Sequence, residues 1–447
     1  MLSSLQSCRL TLAIAFVAVV LCARQCLAWS PGEPEFRGFR VDAWGAGALN
    51  QSQVDNLLGV VGNASSIGQI RANNCNAVLL QVRRNCDVNY PSSMGEPYMS
   101  GLIPSNFNAL QAVINAAHDT TGGKKRVEVH AWIVTFRTSG GAVFQAHDDP
   151  PTGSINNLDN YWPTLTDTGS LTDDLAFDPG HPLAAEYTVN VAMDIVNNFD
   201  VDGIHFDYVR FTGGNQGYNP TSVNRYNARY AQSGKPDRLD ERWRQWRRDQ
   251  VTAVVRKTYA KVQASKPWVK VSGSMVTWNP SPSSSTREAF MGTRPYYDVF
   301  CDWDSWLHEG IIDCAMPMTY YDLSGSYPND WTRWINFEKD RHGSRHMYIG
   351  PGIYMNYLQD AITELLQTRT PSPAGNYADG WCGYSYRCPY VVTKPNTYGS
   401  WSVFASQLYS QVTSTPADIP DMPFTNVKMD AEHPLLMNMQ KCLPEKN

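Results

Sequence analysis

The sequence predicts an α/β protein, a (β/α)8 barrel (a TIM barrel) with long strand-to-helix loops, and three observations carry that expectation. Eight short apolar strands alternate with helical segments along the chain, the count such a barrel requires. Long insertions at 84–104, 137–179, 212–219 and 277–294 all follow a strand and precede a helix, so they gather at one face and build a cleft there. The run Asp202-Gly203-Ile204-His205-Phe206-Asp207-Tyr208-Val209-Arg210 then places an acid at the end of a buried apolar strand, beside that cleft.

In chain order, Arg9 precedes an apolar run from Leu10 to Ala23, and Cys26-Leu27-Ala28 supplies a small-residue cleavage signal before Trp29. Residues 1–28 read as a secretory signal peptide, too short for a spanning helix. Leu21 and Gln25 precede Cys22 and Cys26, where a lipoprotein signal would need a small residue. Export is therefore expected, to a periplasmic or extracellular location. No later segment approaches the roughly 18 apolar residues of a membrane span.

Strands are expected at 39–44, 77–82, 127–135, 203–208, 269–276, 312–319, 347–353 and about 380–384. Helices are expected at roughly 52–73, 106–119, 181–198, 238–265, 328–341, 357–368 and 401–411, most with polar or Pro/Asn starts. The fifth connection reads weakest, because 279–294 is a Ser/Pro-rich loop and only 300–308 looks helical. The barrel should occupy 36–412, with 413–447 a Pro-rich extension packed on it. An open doubly wound sheet would also alternate strand and helix, but Gly45-Ala46-Gly47 is too short to be its phosphate turn.

A net charge of -5 with both signs mixed shows no basic stripe, which argues against a nucleic-acid partner. The 14 Trp and 23 Tyr suit a protein that stacks flat apolar faces such as sugar rings. Past the signal, seven cysteines remain. Bridges are permitted after export, with Cys382 and Cys388 the closest pair, and isolated buried thiols are the alternative.

Period-two alternation puts His205 and Asp207 on one face of the fourth strand, pointing into a barrel, and Ile204, Phe206 and Tyr208 on the other. Reading the other strand ends the same way gathers Asp42 and Trp44, Arg83 and Arg84, His130 and Trp132, then Arg210, Trp278, Tyr320, Tyr321 and Asp322 at one rim. Acids, arginines and aromatics converging there fit glycoside hydrolysis. One carboxyl group protonates the leaving oxygen, another attacks the anomeric carbon or activates water, and aromatic platforms grip the sugar. Asp207 is the expected nucleophile or base and Asp322 its partner, with the remaining residues in substrate contact. Nothing in these motifs requires a cofactor or metal, and the oligomeric state stays open.

The stretches Arg37-Gly38-Phe39-Arg40-Val41-Asp42, Gln81-Val82-Arg83-Arg84, Val129-His130-Ala131-Trp132, Phe177-Asp178-Pro179-Gly180-His181-Pro182, 201–210 and Met316-Pro317-Met318-Thr319-Tyr320-Tyr321 together resemble the glycosyl-hydrolase-like family 10 barrels. The resemblance implies a (β/α)8 barrel, exported in bacteria and acting on glycans, some members resembling hydrolases of peptidoglycan glycan strands. Gly203, His205 and Asp207 are similar in register to the α-amylase fourth strand, with His205 in place of an arginine. In chitinase-type barrels that strand ends in a glutamate proton donor; Val209 stands there, so that mechanism does not transfer. The sixth strand resembles the chitinase Met-x-Tyr-Asp strand, which points to Tyr321 and Asp322.

Each residue also has a structural reading. Asp207 could bond Arg210, Asp322 could cap a turn, Asp42 could tie the barrel to arginines, Arg83 and Arg84 could hold acids ionised, and the tryptophans could be core. Asp178 could cap the helix near His181. Two other functions fit in outline: a carbohydrate-binding barrel without turnover, and a metal-dependent hydrolase or deacetylase using His130, His205 and Asp207.

Overall fold

The computed structural model describes residues 30, 32–43, 45, 47–149 and 157–422. The signal segment 1–28, Trp44 and the tail from 423 lie outside these. Eight strands, β1 (Phe36–Val41), β2 (Ala77–Arg83), β3 (Glu128–Val134), β4 (Gly203–Asp207), β5 (Lys270–Val276), β6 (Cys314–Thr319), β7 (His346–Pro351) and β8 (Gly380–Gly383), form a closed barrel in sequence order. Every neighbouring pair is parallel, and β1 closes on β8 with Phe36 opposite Gly380. The expected (β/α)8 class is what the chain adopts. The first strand begins three residues earlier than expected because Phe36, Arg37 and Gly38 make that closing seam.

Alternation sorts the side chains. Outward residues such as Val78, Leu80, Ile204 and Phe206 join one apolar layer beneath the helices. Inward Phe36, Ala77, Leu79, Met316 and Tyr348 fill the barrel's N-terminal end, where Met422 also packs. Residues 413–422 run under that end, their carbonyls receiving hydrogen bonds from Asn74 (2.7 Å), Arg37 (2.6 Å), Asn76 (3.3 Å) and the Glu35 amide (2.8 Å). Among the described residues no helix is long and apolar enough to cross a membrane, and the six cysteines there are buried free thiols.

Helix starts follow the caps in the sequence. Asp240 accepts from the Arg242 and Trp243 amides to open Glu241–Ser265, and His181 with Pro182 at the first position opens Pro182–Asn198. Asp178 is therefore not the cap. It is fully buried and binds Gly180, Asn219 and Ser222 across two loops. A capping residue followed by Pro recurs at Asn219-Pro220, which opens a helix, Pro220–Tyr230, not expected from the sequence. The first expected helix is instead two, Gln51–Leu58 and Gly68–Ala72. Gly59 ends the first at a φ of 87°, with the Ser66 carbonyl where a Cβ would stand. The fifth connection holds short helices Arg287–Met291 and Arg294–Tyr297 as well as Trp303–Glu309.

Candidate active site

The fourth strand is shaped for its cargo. Gly203 sits against the His130 ring, where a Cβ would come within 2.2 Å of Nδ1, so this position excludes any larger residue. Asp202 accepts the Val129 amide and pairs with His118 and Arg126, fixing the start of the strand. At the other end Asp207 is 6% exposed. Tyr208 follows in a left-handed conformation at φ 51°, which turns the chain at the rim and lets the Tyr208 amide donate to the Asp207 carboxylate at 2.8 Å. Trp132 Nε1 donates to the other oxygen at 3.1 Å.

Burial pushes the Asp207 carboxyl up from its ordinary value, while Arg40, Arg210 and those two hydrogen bonds pull the other way. Arg40 rises from β1, buried, donating to the Tyr320 hydroxyl and to the Met316 carbonyl at 3.0 Å. Tyr320 stacks on Tyr384 with ring centres 5.5 Å apart, and Tyr354 stands edge-on to both. Burial pushes the Tyr320 and Tyr384 phenols up, so they remain hydrogen-bond donors. These groups surround a cavity of about 770 Å³ at the C-terminal end of the strands, a volume within the usual range of ligand sites. A second cavity of about 400 Å³ lies between residues 67–76, 123–126 and 416–419, at the opposite end from the rim where barrel enzymes place their chemistry.

Of the residues expected at the rim, Asp207, Arg210, Trp132, Trp278, Tyr320, Tyr321 and Asp322 line the cavity. Asp322 is engaged: it accepts the Ser324 amide at 3.0 Å and pairs with Lys394. Trp44 lies outside the described residues, and the other expected ones do not line the cavity. Asp42 is buried against Arg387 and Ser385. Arg83 turns away from the barrel to Glu96 at 2.8 Å and to Cys86, because the β2–β3 register shifts between Gln81 and Arg83. Arg84 binds Asp87 and Ser100. His130 points inward but too deep, bonded to Glu128 and edge-on to Phe36 at the N-terminal end. His205 lies beneath the floor, with both ring nitrogens bonded to serines, Ser272 at 2.9 Å and Ser274 at 2.8 Å. Burial, Arg40 and His130 lower its pKa well below the usual value, so it is neutral. The two histidines and Asp207 do not form a chelating set, and no group of three metal-ligating side chains occurs among the described residues.

Arg40, Tyr354 and Tyr384 were missed. Arg40 shares parity with Asp42 on the first strand, and Tyr384 ends the expected eighth strand, so the same alternation argument reaches both.

A closed barrel with a buried carboxylate, arginines and a tyrosine wall at its C-terminal rim is the architecture of glycosidase-like barrels. The chain belongs to the Glycosyl hydrolase-like 10 family, whose family model matches residues 49–358. It is 28% identical over 295 residues to the glycosyl hydrolase YngK of Bacillus subtilis (strain 168), covering 62% of this chain and 52% of YngK. With the glycosyl hydrolase DigH of Escherichia coli (strain K12) it shares 24% identity over 267 residues, 56% of each chain. The chain thus spans about half the length of the curated relatives it matches. Its fold is similar to the glycoside hydrolase domain of PgaB (BpsB) from Bordetella bronchiseptica, with a TM-score of 0.50 and 15% identity over 78% of this chain and 94% of that one.

Proposed function

We propose that this protein is an exported glycoside hydrolase that cleaves a polysaccharide at the C-terminal mouth of its barrel, with peptidoglycan glycan strands the first substrate to try. The observation that carries the reading is Asp207: a carboxylate at the end of β4, buried on the floor of an open cavity, oriented by Trp132 and the Tyr208 amide and poised between two guanidiniums. A carboxyl whose affinity for its proton is raised by burial suits proton transfer to and from a glycosidic oxygen. The two named hydrolases among the relatives support the reaction class. The apolar run from Leu10 to Ala23 and the cleavage signal at Ala28 support export.

In this scheme Asp207 acts as acid/base, Asp322 is the second carboxyl group of the cavity, and Trp132 and the Tyr320–Tyr384 stack hold sugar faces. Asp322 stays tied to Lys394 until substrate or a shift of residues 391–398 releases it. That tie also favours a second reading, a carbohydrate-binding barrel without turnover, since it leaves Asp207 as the sole unpaired acid among the described residues that line the cavity. Product release by the mature protein from peptide-stripped peptidoglycan, chitin oligomers and α- and β-glucans, with Asp207→Asn alongside, decides between them. Hydrolysis of one glycan that disappears in the variant while binding persists upholds the enzyme; binding of a glycan with no cleavage by the unmutated protein upholds the binder.

A further inference from the structure

Five charged residues line the cavity: Arg40, Asp207, Arg210, Arg294 and Asp322. Two of them are neutralised locally, Arg294 by Asp298 at 2.9 Å and Asp322 by Lys394. Arg40 and Arg210 form no ion pair with any described carboxylate, and Asp207 is the acid they share. Even with Asp207 ionised, one positive charge is left over in a largely buried space, and with Asp207 protonated there are two. An uncompensated buried charge is costly, and a site that keeps one is prepared for a ligand of opposite sign.

The excess is placed on Arg210. This side chain is 7% exposed; its Nη1 donates to the Phe211 carbonyl at 3.2 Å, Nε has no partner, and the rest of the guanidinium makes no hydrogen bond to a described residue. It is held by aromatic faces instead, 4.5 Å from the Tyr208 ring centre and 5.0 Å from that of Trp278. The pattern continues on either side, Arg137 lying 5.2 Å from the Tyr208 ring and Arg294 4.6 Å from the Trp278 ring. Three guanidiniums and two rings thus alternate along the rim, a surface that offers a fork of donors to a planar anion.

Resting on the hydrolase reading above, we propose that the cavity takes glycans whose sugar rings carry a carboxylate close to the scissile bond, and that Arg210 is the residue that receives it. Stacking positions Arg210 without consuming its donors, whereas an ion pair would. Trp278, between Arg210 and Arg294, fixes the spacing of the two guanidiniums.

Matched substrates that differ only at the carboxyl group provide the test. Peptide-stripped peptidoglycan strands, whose carboxylates sit on ether side arms, and a uronic-acid polymer, whose carboxylates sit on the ring, are each compared with the same glycan after chemical reduction of the carboxyls to alcohols. The unmutated protein should cleave one carboxylated glycan with a KM at least about tenfold below that of its reduced form, the worth of roughly one charge-assisted hydrogen bond. Arg210→Gln should bring the two forms within about twofold, and Arg210→Lys should keep part of the preference. A thermal melt confirms that both variants are folded. Which glycan shows the effect identifies the source of the carboxylate.

Equal cleavage of carboxylated and reduced forms, or a preference that survives in folded Arg210→Gln, overturns the proposal and leaves the hydrolase intact. If nothing is cleaved, the hydrolase reading fails and calorimetric binding of the same pairs decides: tighter, Arg210-dependent binding of a carboxylated form sustains the proposal, and equal binding overturns it.

Discussion

At the N-terminal end of the barrel Glu35 lies between Arg37 at 2.5 Å and Arg369 at 2.7 Å, and Glu128 between Lys270 at 2.6 Å and His130 at 3.1 Å. At the C-terminal end Arg40 and Arg210 flank Asp207 and none of the three forms an ion pair among the described residues. Both ends bury charge inside the same sheet, so fold alone does not explain the contrast. Charges at the first end are balanced by protein partners and hold strands, loops and the 413–422 segment together. Arg40 and Arg210 at the second are left in excess over Asp207, a state that costs stability and makes sense only where something else supplies the balance.

The largest expected effect breaks the contrast at its functional end. Asp207→Asn should lower hydrolysis by about 10²–10⁴-fold while leaving the melting temperature at pH 7 equal or higher, since the buried carboxyl it replaces is reluctant to ionise. Glycan turnover and a thermal melt on one preparation measure both; a large loss of stability would make Asp207 a structural acid. Glu35→Gln should do the opposite. It strands Arg37, which is fully buried, and removing one partner of a buried pair typically costs about 3–5 kcal/mol. Denaturant unfolding measures that cost, and kcat of the folded fraction should be unchanged.

How the sequence announced these two ends is uneven. Apolar runs of strand length fix the eight strands because outward residues must meet helices and inward ones must meet each other. Alternation correctly turned Trp132, His205 and Asp207 inward, yet it gives the face and not the depth. His130 pairs in register with Gly203 at the start of β4, so it belongs to the bottom layer, and His205 lies one layer below the rim. Arg83 escaped the alternation argument through a register shift that no residue type signals. Arg40 was legible by parity but hidden by a first strand read three residues late, and the hairpin Val391–Thr393 with Thr397–Tyr398, which brings Lys394 to Asp322, has a pairing set by tertiary packing.

Another acid sharpens the comparison from between the two ends. Glu338 is fully buried behind β6; it accepts the Thr319 hydroxyl at 2.7 Å, its second oxygen has no partner, and burial pushes its carboxyl up to about 8. Over the range between an ordinary glutamate and about pH 8 the folded protein therefore holds a proton that the unfolded chain releases, and stability falls as pH rises through that window. Glu338→Gln cannot ionise. Its stability should match that of the unmutated protein near pH 5 and exceed it above pH 8, by an amount on the order of a few kcal/mol. Parallel melting curves across that range would show this buried acid to be a stability term, unlike Asp207, if turnover at pH 6 is retained.

The smallest effect belongs to the rim. Lys394 reaches Asp322 from residues 391–398 and also lies 4.8 Å from the Tyr357 ring, with both members of the pair partly exposed at 33% and 22%. Solvent screens such a pair, so Lys394→Ala should change stability by no more than about 1 kcal/mol. Its consequence is for the cavity: without Lys394, Asp322 becomes a second unpaired acid facing Asp207 and offsets the surplus positive charge. Affinity for a carboxylated glycan should then weaken a few-fold, more at low than at high salt, whereas affinity for its carboxyl-reduced form should hold or improve. A shift of equal size for both forms would mean that Lys394 touches sugar directly, and the balance of charge at this end would have to be drawn without it.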